Sequence, residues 1–186
     1  MDEAAPRICP AEHAGALDNR LRRWLQNPRK ILNGLVRPGM VAVDFGCGPG
    51  FFTIEMARMA GPDGKVFGID LQVKMLDKVR AKIAGSDLEK RIFLHQCPAG
   101  SIGIAGPVDF ILAFYVLHEL PDQGRFFAEV ADSLQTNGRL LIVEPPFHVS
   151  ARAFSGTLDL AKRIGLATVS GPKILFSKSA LLARER

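Results

Sequence analysis

The ten residues from Val41 to Gly50, V-A-V-D-F-G-C-G-P-G, constrain this chain more than any other stretch. Val41, Ala42 and Val43 form a short apolar run between Pro38-Gly39 and a glycine cluster, the pattern of a buried strand that runs into a tight turn. From Phe51 to Ala60 the spacing turns helical, with Phe52, Met56 and Met59 on one stripe and Glu55 and Arg58 off it. Gly46, Gly48 and Gly50 permit a sharp turn and a close approach of ligand to backbone, and the helix start offers free N–H groups. The loop suits a nucleotide-like ligand; a tight turn without a ligand is the competing reading.

A dinucleotide fingerprint needs G-x-G-x-x-G, whereas the spacing here is G-x-G-x-G, and the P-loop pattern G-x-x-x-x-G-K-[ST] is absent. Asp44 stands at the strand end, where its charge would repel a pyrophosphate and attract an ammonium group. A second acid, Asp70, closes the next apolar stretch, G-K-V-F-G-I-D. Together these motifs resemble those of the class I S-adenosylmethionine-dependent methyltransferases, of whose glycine motif Gly-Cys-Gly-Pro-Gly is a common version. The resemblance spans about Leu32 to Ala183 and implies an α/β fold. That fold is a Rossmann-like, doubly wound sheet of about seven mostly parallel strands with helices on both faces and the last strand antiparallel. It also implies S-adenosylmethionine as cofactor, with S-adenosylhomocysteine as product. Asp44, Gly46, Cys47, Gly48 and Gly50 then form the cofactor loop, and Asp70 accepts hydrogen bonds from the two ribose hydroxyls. Leu71 and Gln72 lie beside the adenine, with Met75 either there or in the core. Cys97 and Pro98, with Gln96, stand where many members carry a glycine and an acid that bonds the adenine amino group. Phe114 and Tyr115, just past the fourth strand, reach the methionine moiety or belong to the core.

The remaining elements follow from local pattern. Met1 to Gly15 lacks periodicity, and Cys9 and His13 within it lack the further ligands of a metal site. A helix capped by Asp18 or Asn19 runs to Gln26, and a second begins at Asn27-Pro28 and ends near Val36. Residues 1–37 therefore read as an arm and lid helices, and residues 38–186 as the cofactor-binding domain. Lys65 to Ile69, Arg91 to His95 and Val108 to Ala113 read as strands, and Val73 to Ala84 as an amphipathic helix. Asp122 begins a helix through Leu134, and a turn at Thr136-Asn137-Gly138 precedes the strand Arg139 to Val143. Ser150 caps a helix to Ile164, and Leu166 to Val169 and Lys173 to Phe176 read as strands joined through Gly171-Pro172.

His118, Glu144 and His148 are the candidate catalytic residues. The His118-Glu119 pair resembles a variant found in small-molecule methyltransferases, with His118 either near the transferred methyl or orienting its loop. Glu144, Phe147 and His148 follow the fifth strand, at the sheet edge where open α/β folds bind ligands, and either face substrate or cap the next helix. Pro145-Pro146-Phe147 matches the amino-methyltransferase motif D/N-P-P-Y/F in letters, but it follows the fifth strand where that motif belongs after the fourth.

A chain of 186 residues suits one domain that buries roughly 70% of its unfolded surface. It carries three cysteines, widely spaced and without C-x-x-C, which points to reduced thiols and neither a disulfide framework nor a zinc site. No apolar stretch is long enough for a membrane span and the first residues lack the basic start of a signal, so a cytoplasmic location is expected. The net charge of +5 is carried by the two ends. Arg20, Arg22, Arg23, Arg29 and Lys30 around Trp24 form a weak nucleic-acid footprint, and a solvated helix face is the favoured explanation of it. The expected partner is a small-molecule methyl acceptor, with nucleic acid not expected and the protein a monomer or a homodimer. The resemblance implies small-molecule enzymes of the ubiquinone and menaquinone C-methyltransferase and arsenite methyltransferase type. A non-catalytic protein that binds the cofactor or nucleic acid on the same fold is the alternative, and a nicotinamide-dependent reductase is disfavoured by the glycine spacing.

Overall fold

The strand that leads into the glycine loop lies near the middle of a seven-stranded sheet of order β3-β2-β1-β4-β5-β7-β6. This computed structural model describes residues 26–98, 101–103 and 106–185. The arm, the first expected helix, Cys9, His13 and the basic cluster around Trp24 fall outside the described residues. In chain order the elements are α1 (Pro28–Leu32), β1 (Val41–Phe45), α2 (Thr53–Ala60), β2 (Lys65–Asp70), α3 (Val73–Ile83) and β3 (Ile92–Gln96). They continue as β4 (Val108–Phe114), α4 (Gln123–Ser133), β5 (Leu134–Glu144), α5 (Ala151–Arg163), β6 (Leu166–Val169) and β7 (Lys178–Arg184). Single 3₁₀ turns occupy Asp87–Lys90 and Leu117–Glu119.

Strands β1 to β5 pair in parallel, and β7 runs antiparallel to both β5 and β6. The near-continuous apolar runs of β1 and β4 follow from their position, since both faces of a parallel sheet are covered. On one face Met56, Val79 and Ile83 pack against Ala42, Val66, Phe110 and Leu112. On the other, Phe126, Phe127, Val130 and Ala161 pack against Val43, Ile111, Ala113 and Ile142. The helices start where the sequence supplies a side-chain acceptor. Asn27, Asp122 and Ser150 accept from the backbone N–H groups of Lys30, Arg125 and Ala153 at 3.2, 2.9 and 3.1 Å.

Three expectations need correction. Helix α1 stops at Leu32, short of Val36, because Asn33 is its C-cap and Gly34 turns left-handed at φ 75°. Thr136-Asn137-Gly138 is not a turn between helix and strand. It lies inside β5, where the register steps from Val108↔Leu134 to Phe110↔Arg139 and the intervening residues bulge outward. The last strand is not Lys173 to Phe176, and Gly171-Pro172 does not form a two-strand hairpin with it. Leu175 and Phe176 there are 61% and 70% exposed, and φ 52° at Phe176 ends any extended run. The true strand β7 lies between β5 and β6 and buries Ala180 to Ala183 in succession, without the alternation or β-branched residues that signal a strand.

Among the described residues no helix is long and apolar enough to cross a membrane. The connection from β3 to β4 has no helix among its described residues and is held by α4 instead. Glu129 accepts from Ser101 Oγ and the Ile102 N–H at 2.9 and 2.8 Å.

Candidate functional site

The strand order reverses between β1 and β4, which opens a crevice at their carboxyl ends. Because β1 to β5 are parallel, that edge gathers the glycine loop, Asp70, Gln96 to Pro98, Phe114, Tyr115 and Glu144. The loop is hung on β2, with the N–H groups of Gly46 and Cys47 both donating to the Ile69 carbonyl at 2.9 Å.

All three loop glycines adopt positive φ, at 70°, 52° and 82°, yet their surroundings differ. A Cβ on Gly46 would lie 2.6 Å from Val116 Cγ2, and one on Gly50 3.0 Å from Val79 Cγ2. Close approach at these two positions is therefore to the protein. Only Gly48 borders open space, since a Cβ there would meet nothing within 4 Å. Lys82 of α3 donates from Nζ to the Pro49 carbonyl at 2.7 Å, so this helix braces the loop twice.

Asp70 ends β2 beneath that space, 9% exposed. Its Oδ2 accepts from the Gly48 N–H at 2.9 Å and its Oδ1 from the Gln72 N–H at 2.8 Å. Burial pushes its carboxyl above the ordinary range, and the two N–H donors partly restrain the shift. No lysine or arginine pairs with it among the described residues. A carboxylate offers about four lone-pair sites, so both oxygens retain capacity for further donors. A buried acid with spare acceptors beneath an open glycine cradle fits a vicinal diol, as on the ribose of an adenosine cofactor.

The other candidates divide between the two ends of the crevice. Asp44 is buried at the end of β1 and accepts from Thr53 Oγ1 at 2.6 Å, which ties the strand to the first residue of α2. Cys47 is buried beneath the loop, its thiol pushed well up by burial and by Asp44 and Asp70. Cys97 is buried too, and burial, with Asp70, pushes it up to about 11. Pro98 is exposed, and Gln96 Nε2 donates to the Leu71 carbonyl at 3.1 Å, joining the ends of β2 and β3. Phe114 stacks between Phe52 and Tyr115 with ring centroids 4.5 Å from each. Tyr115 adopts φ 61°, and its hydroxyl accepts from Gln26 Nε2 at 2.6 Å and contacts Ser177 Oγ at 2.6 Å.

His118, Glu144 and His148 come together past β4 and β5. Glu144 is 2% exposed, its Oε1 accepting from the Leu117 N–H at 3.0 Å and its Oε2 lying 2.5 Å from His118 Nδ1. The bond to Glu144 raises the imidazole above its ordinary value, against the opposing effect of burial, and the charges of Glu144 and Glu119 add to the rise. His148 is exposed and sits edge-on to His118 with centroids 5.9 Å apart. Among the described residues no group of three His, Cys, Asp or Glu could hold a metal ion. Sequence reading missed Thr53, Lys82, Gln26 and Ser177, which act through contacts across the fold. Lys82 was visible only as one of the charges on the polar side of α3.

Residues 37–163 match the sequence profile of a family described as a methyltransferase domain. A demethylmenaquinone methyltransferase of Lactobacillus johnsonii is 33% identical over 142 residues, 74% of this chain and 57% of that protein. An arsenite methyltransferase of Halobacterium salinarum is 31% identical over 117 residues, 62% of this chain and 29% of that one. The chain thus spans little more than half, or less, of the curated relatives it matches. Among solved structures, an S-adenosylmethionine-dependent methyltransferase of Aquifex aeolicus superposes with TM-score 0.81 at 23% identity, covering 94% of this chain and 98% of that one. Fibrillarin of Aeropyrum pernix, with natively bound S-adenosyl-L-methionine, superposes with TM-score 0.65 at 15% identity, covering 80% and 68%. These two likenesses establish the fold.

Proposed function

The chain belongs to the methyltransferase-domain family of class I S-adenosylmethionine-dependent enzymes, and we propose that it methylates a small-molecule acceptor held past β4 and β5. The observation that carries this reading is Asp70, a buried carboxylate braced by the Gly48 and Gln72 N–H groups with acceptor capacity left over. Asp70 would hold the ribose hydroxyls, with the open face of Gly48 beside them and Leu71, Gln72, Cys97 and Pro98 flanking the base. Asp44, Phe114 and Tyr115 stand toward the methionine end. When bound, S-adenosylmethionine supplies an electrophilic methyl group, so the protein has to align the acceptor, exclude water and manage a proton.

Of the chemistries named by the relatives, metalloid methylation is the less favoured. Cys47 and Cys97 are both buried, and burial pushes both thiols up, which disfavours the thiolates that a metalloid requires and leaves Cys9, outside the described residues, as the one other cysteine. An organic acceptor fits better.

Isothermal titration with S-adenosylmethionine and S-adenosylhomocysteine, with NADH as control, tests the reading. Binding of the first two alone is the expected result. Folded protein that binds neither, or that binds NADH instead, overturns it.

A further inference from the structure

We propose that His118 is the general base of the transfer and Glu144 its positioning residue, so that the acceptor is a group that attacks only after losing a proton, such as a phenol, hydroquinone or enol hydroxyl. This rests on the methyl-transfer reading above. The two oxygens of Glu144 are both committed, Oε1 to the Leu117 N–H at 3.0 Å and Oε2 to His118 Nδ1 at 2.5 Å. A buried carboxylate against Nδ1 holds the proton there and leaves the lone pair on Nε2. That nitrogen makes no hydrogen bond among the described residues, and 22% of the His118 side chain stays exposed. The turn itself is fastened by the Leu117 N–H bond to Glu144 Oε1 and by the Gln123 Nε2 bond to the Leu117 carbonyl at 3.0 Å, so neither of these bonds uses the imidazole, and the second oxygen of Glu144 is turned to His118. The ring also lies at the right end of the crevice, on the turn that follows Tyr115.

In the step itself, the acceptor hydroxyl gives its proton to His118 Nε2. The oxygen, or the ring carbon conjugated to it, forms the new bond to the methyl carbon; in the second case that carbon then gives up its own hydrogen as a proton to water and the oxygen takes a proton back, which restores the aromatic ring. The carbon–sulfur bond breaks with its electron pair left on sulfur, and the imidazolium held by Glu144 returns its proton to water. A thiolate or metalloid acceptor would leave this pair without a task. The charged and titratable groups that face His118 are Glu144 on β5, Glu119 on its own turn and His148 after β5. The two acids favour the imidazolium and His148 opposes it when charged.

Two measurements test the assignment. Long-range ¹H–¹⁵N NMR of the imidazoles should find His118 protonated on Nδ1 at high pH, with a midpoint above the ordinary 6.5 that falls in E144Q. Initial rates with S-adenosylmethionine and a set of phenols and hydroquinones of graded acidity should show an acid limb at that midpoint. H118Q should lose about 10²- to 10⁴-fold in kcat, least for the most acidic phenols, while titration gives an unchanged S-adenosylmethionine affinity. A Nε2-protonated tautomer, a flat pH profile, a fully active H118Q, or cofactor binding with no hydroxyl in the set methylated overturns the inference. Loss of cofactor binding in the wild-type protein overturns instead the methyl-transfer reading on which it rests.

Discussion

Replacing Asp70 by alanine isolates the contact on which the cofactor assignment depends. In the structure the carboxylate is nearly sealed from water and each oxygen already holds one backbone N–H, at 2.8 and 2.9 Å. If each remaining acceptor site receives one ribose hydroxyl, the variant loses two hydrogen bonds to a charged group, about 1.5–3 kcal/mol apiece. Their sum, about 3–6 kcal/mol, corresponds to roughly 10²- to 10⁴-fold in affinity. The released N–H groups of Gly48 and Gln72 act in the same direction, because the loop loses its anchor. Asp70→Asn keeps the shape and one carbonyl oxygen, so it should fall between, at about tenfold to a hundredfold. Isothermal titration with S-adenosylhomocysteine measures both, and the thermal midpoint confirms that each variant is folded. A folded Asp70→Ala protein that binds within about threefold of wild type would refute the reasoning, since no arrangement with Asp70 on the ribose allows so small a loss.

Gly48→Val should fold and fail to bind S-adenosylmethionine in the same titration, because the left-handed backbone costs about 1–2 kcal/mol while the added atoms meet only the open cradle. Gly46→Ala should instead lose stability to urea by about 1–3 kcal/mol, its methyl being driven against Val116. Lys82→Met should weaken cofactor binding by about threefold to tenfold with little change in thermal midpoint, as the Pro49 carbonyl loses its donor. His118, raised by Glu144, contributes stability that is complete below its ordinary 6.5 and disappears as pH climbs through the raised value. Urea titrations should accordingly find the gap between wild type and His118→Gln narrowing as pH rises from 6.5 through the raised midpoint.

The glycine-loop end of the crevice was legible in the sequence because its signals are local. A strand-end acid, alternating glycines and a second strand-end acid each sit within a few residues of the feature they specify, and parallel pairing then brings them to one edge. Local pattern also misled where packing decides. Lys173 to Phe176 has the composition of a strand but buries only Ile174 and leaves Leu175 and Phe176 exposed, whereas Ala180 to Ala183 has the composition of a helix and becomes a strand because β5 and β6 leave a slot for it. The bulge in β5 falls in the same class, since Thr136-Asn137-Gly138 carries every turn signal and the chain yields only by bending outward within the strand. Pairings such as Tyr115 with Ser177 or Lys82 with Pro49 join residues far apart in sequence, and no periodicity announces them.

The two ends of the crevice are built with different rigidity, and α3 accounts for the difference. Gln72, its N-cap, donates to Asp70; Val79 fills the space a side chain at Gly50 would need; Lys82 holds the Pro49 carbonyl. One helix therefore sets both the acid and the glycine loop, and its Met75, Leu76, Val79 and Ile83 are buried in the core. Moving the acid without the loop would disturb close packing along its whole length, so the two keep their relation before any ligand arrives. Among the described residues the His118 end has no comparable brace. His118 rides on a single 3₁₀ turn fastened by Glu144 and Gln123, and the exposed Phe147 and His148 lie on the connection after β5. On the proposed assignment, a braced cofactor half beside a loop-built acceptor half lets the second change its preference without disturbing the first. This division follows from where α3 packs, and it is why the glycine-loop end of the crevice is easier to read from the sequence than the His118 end.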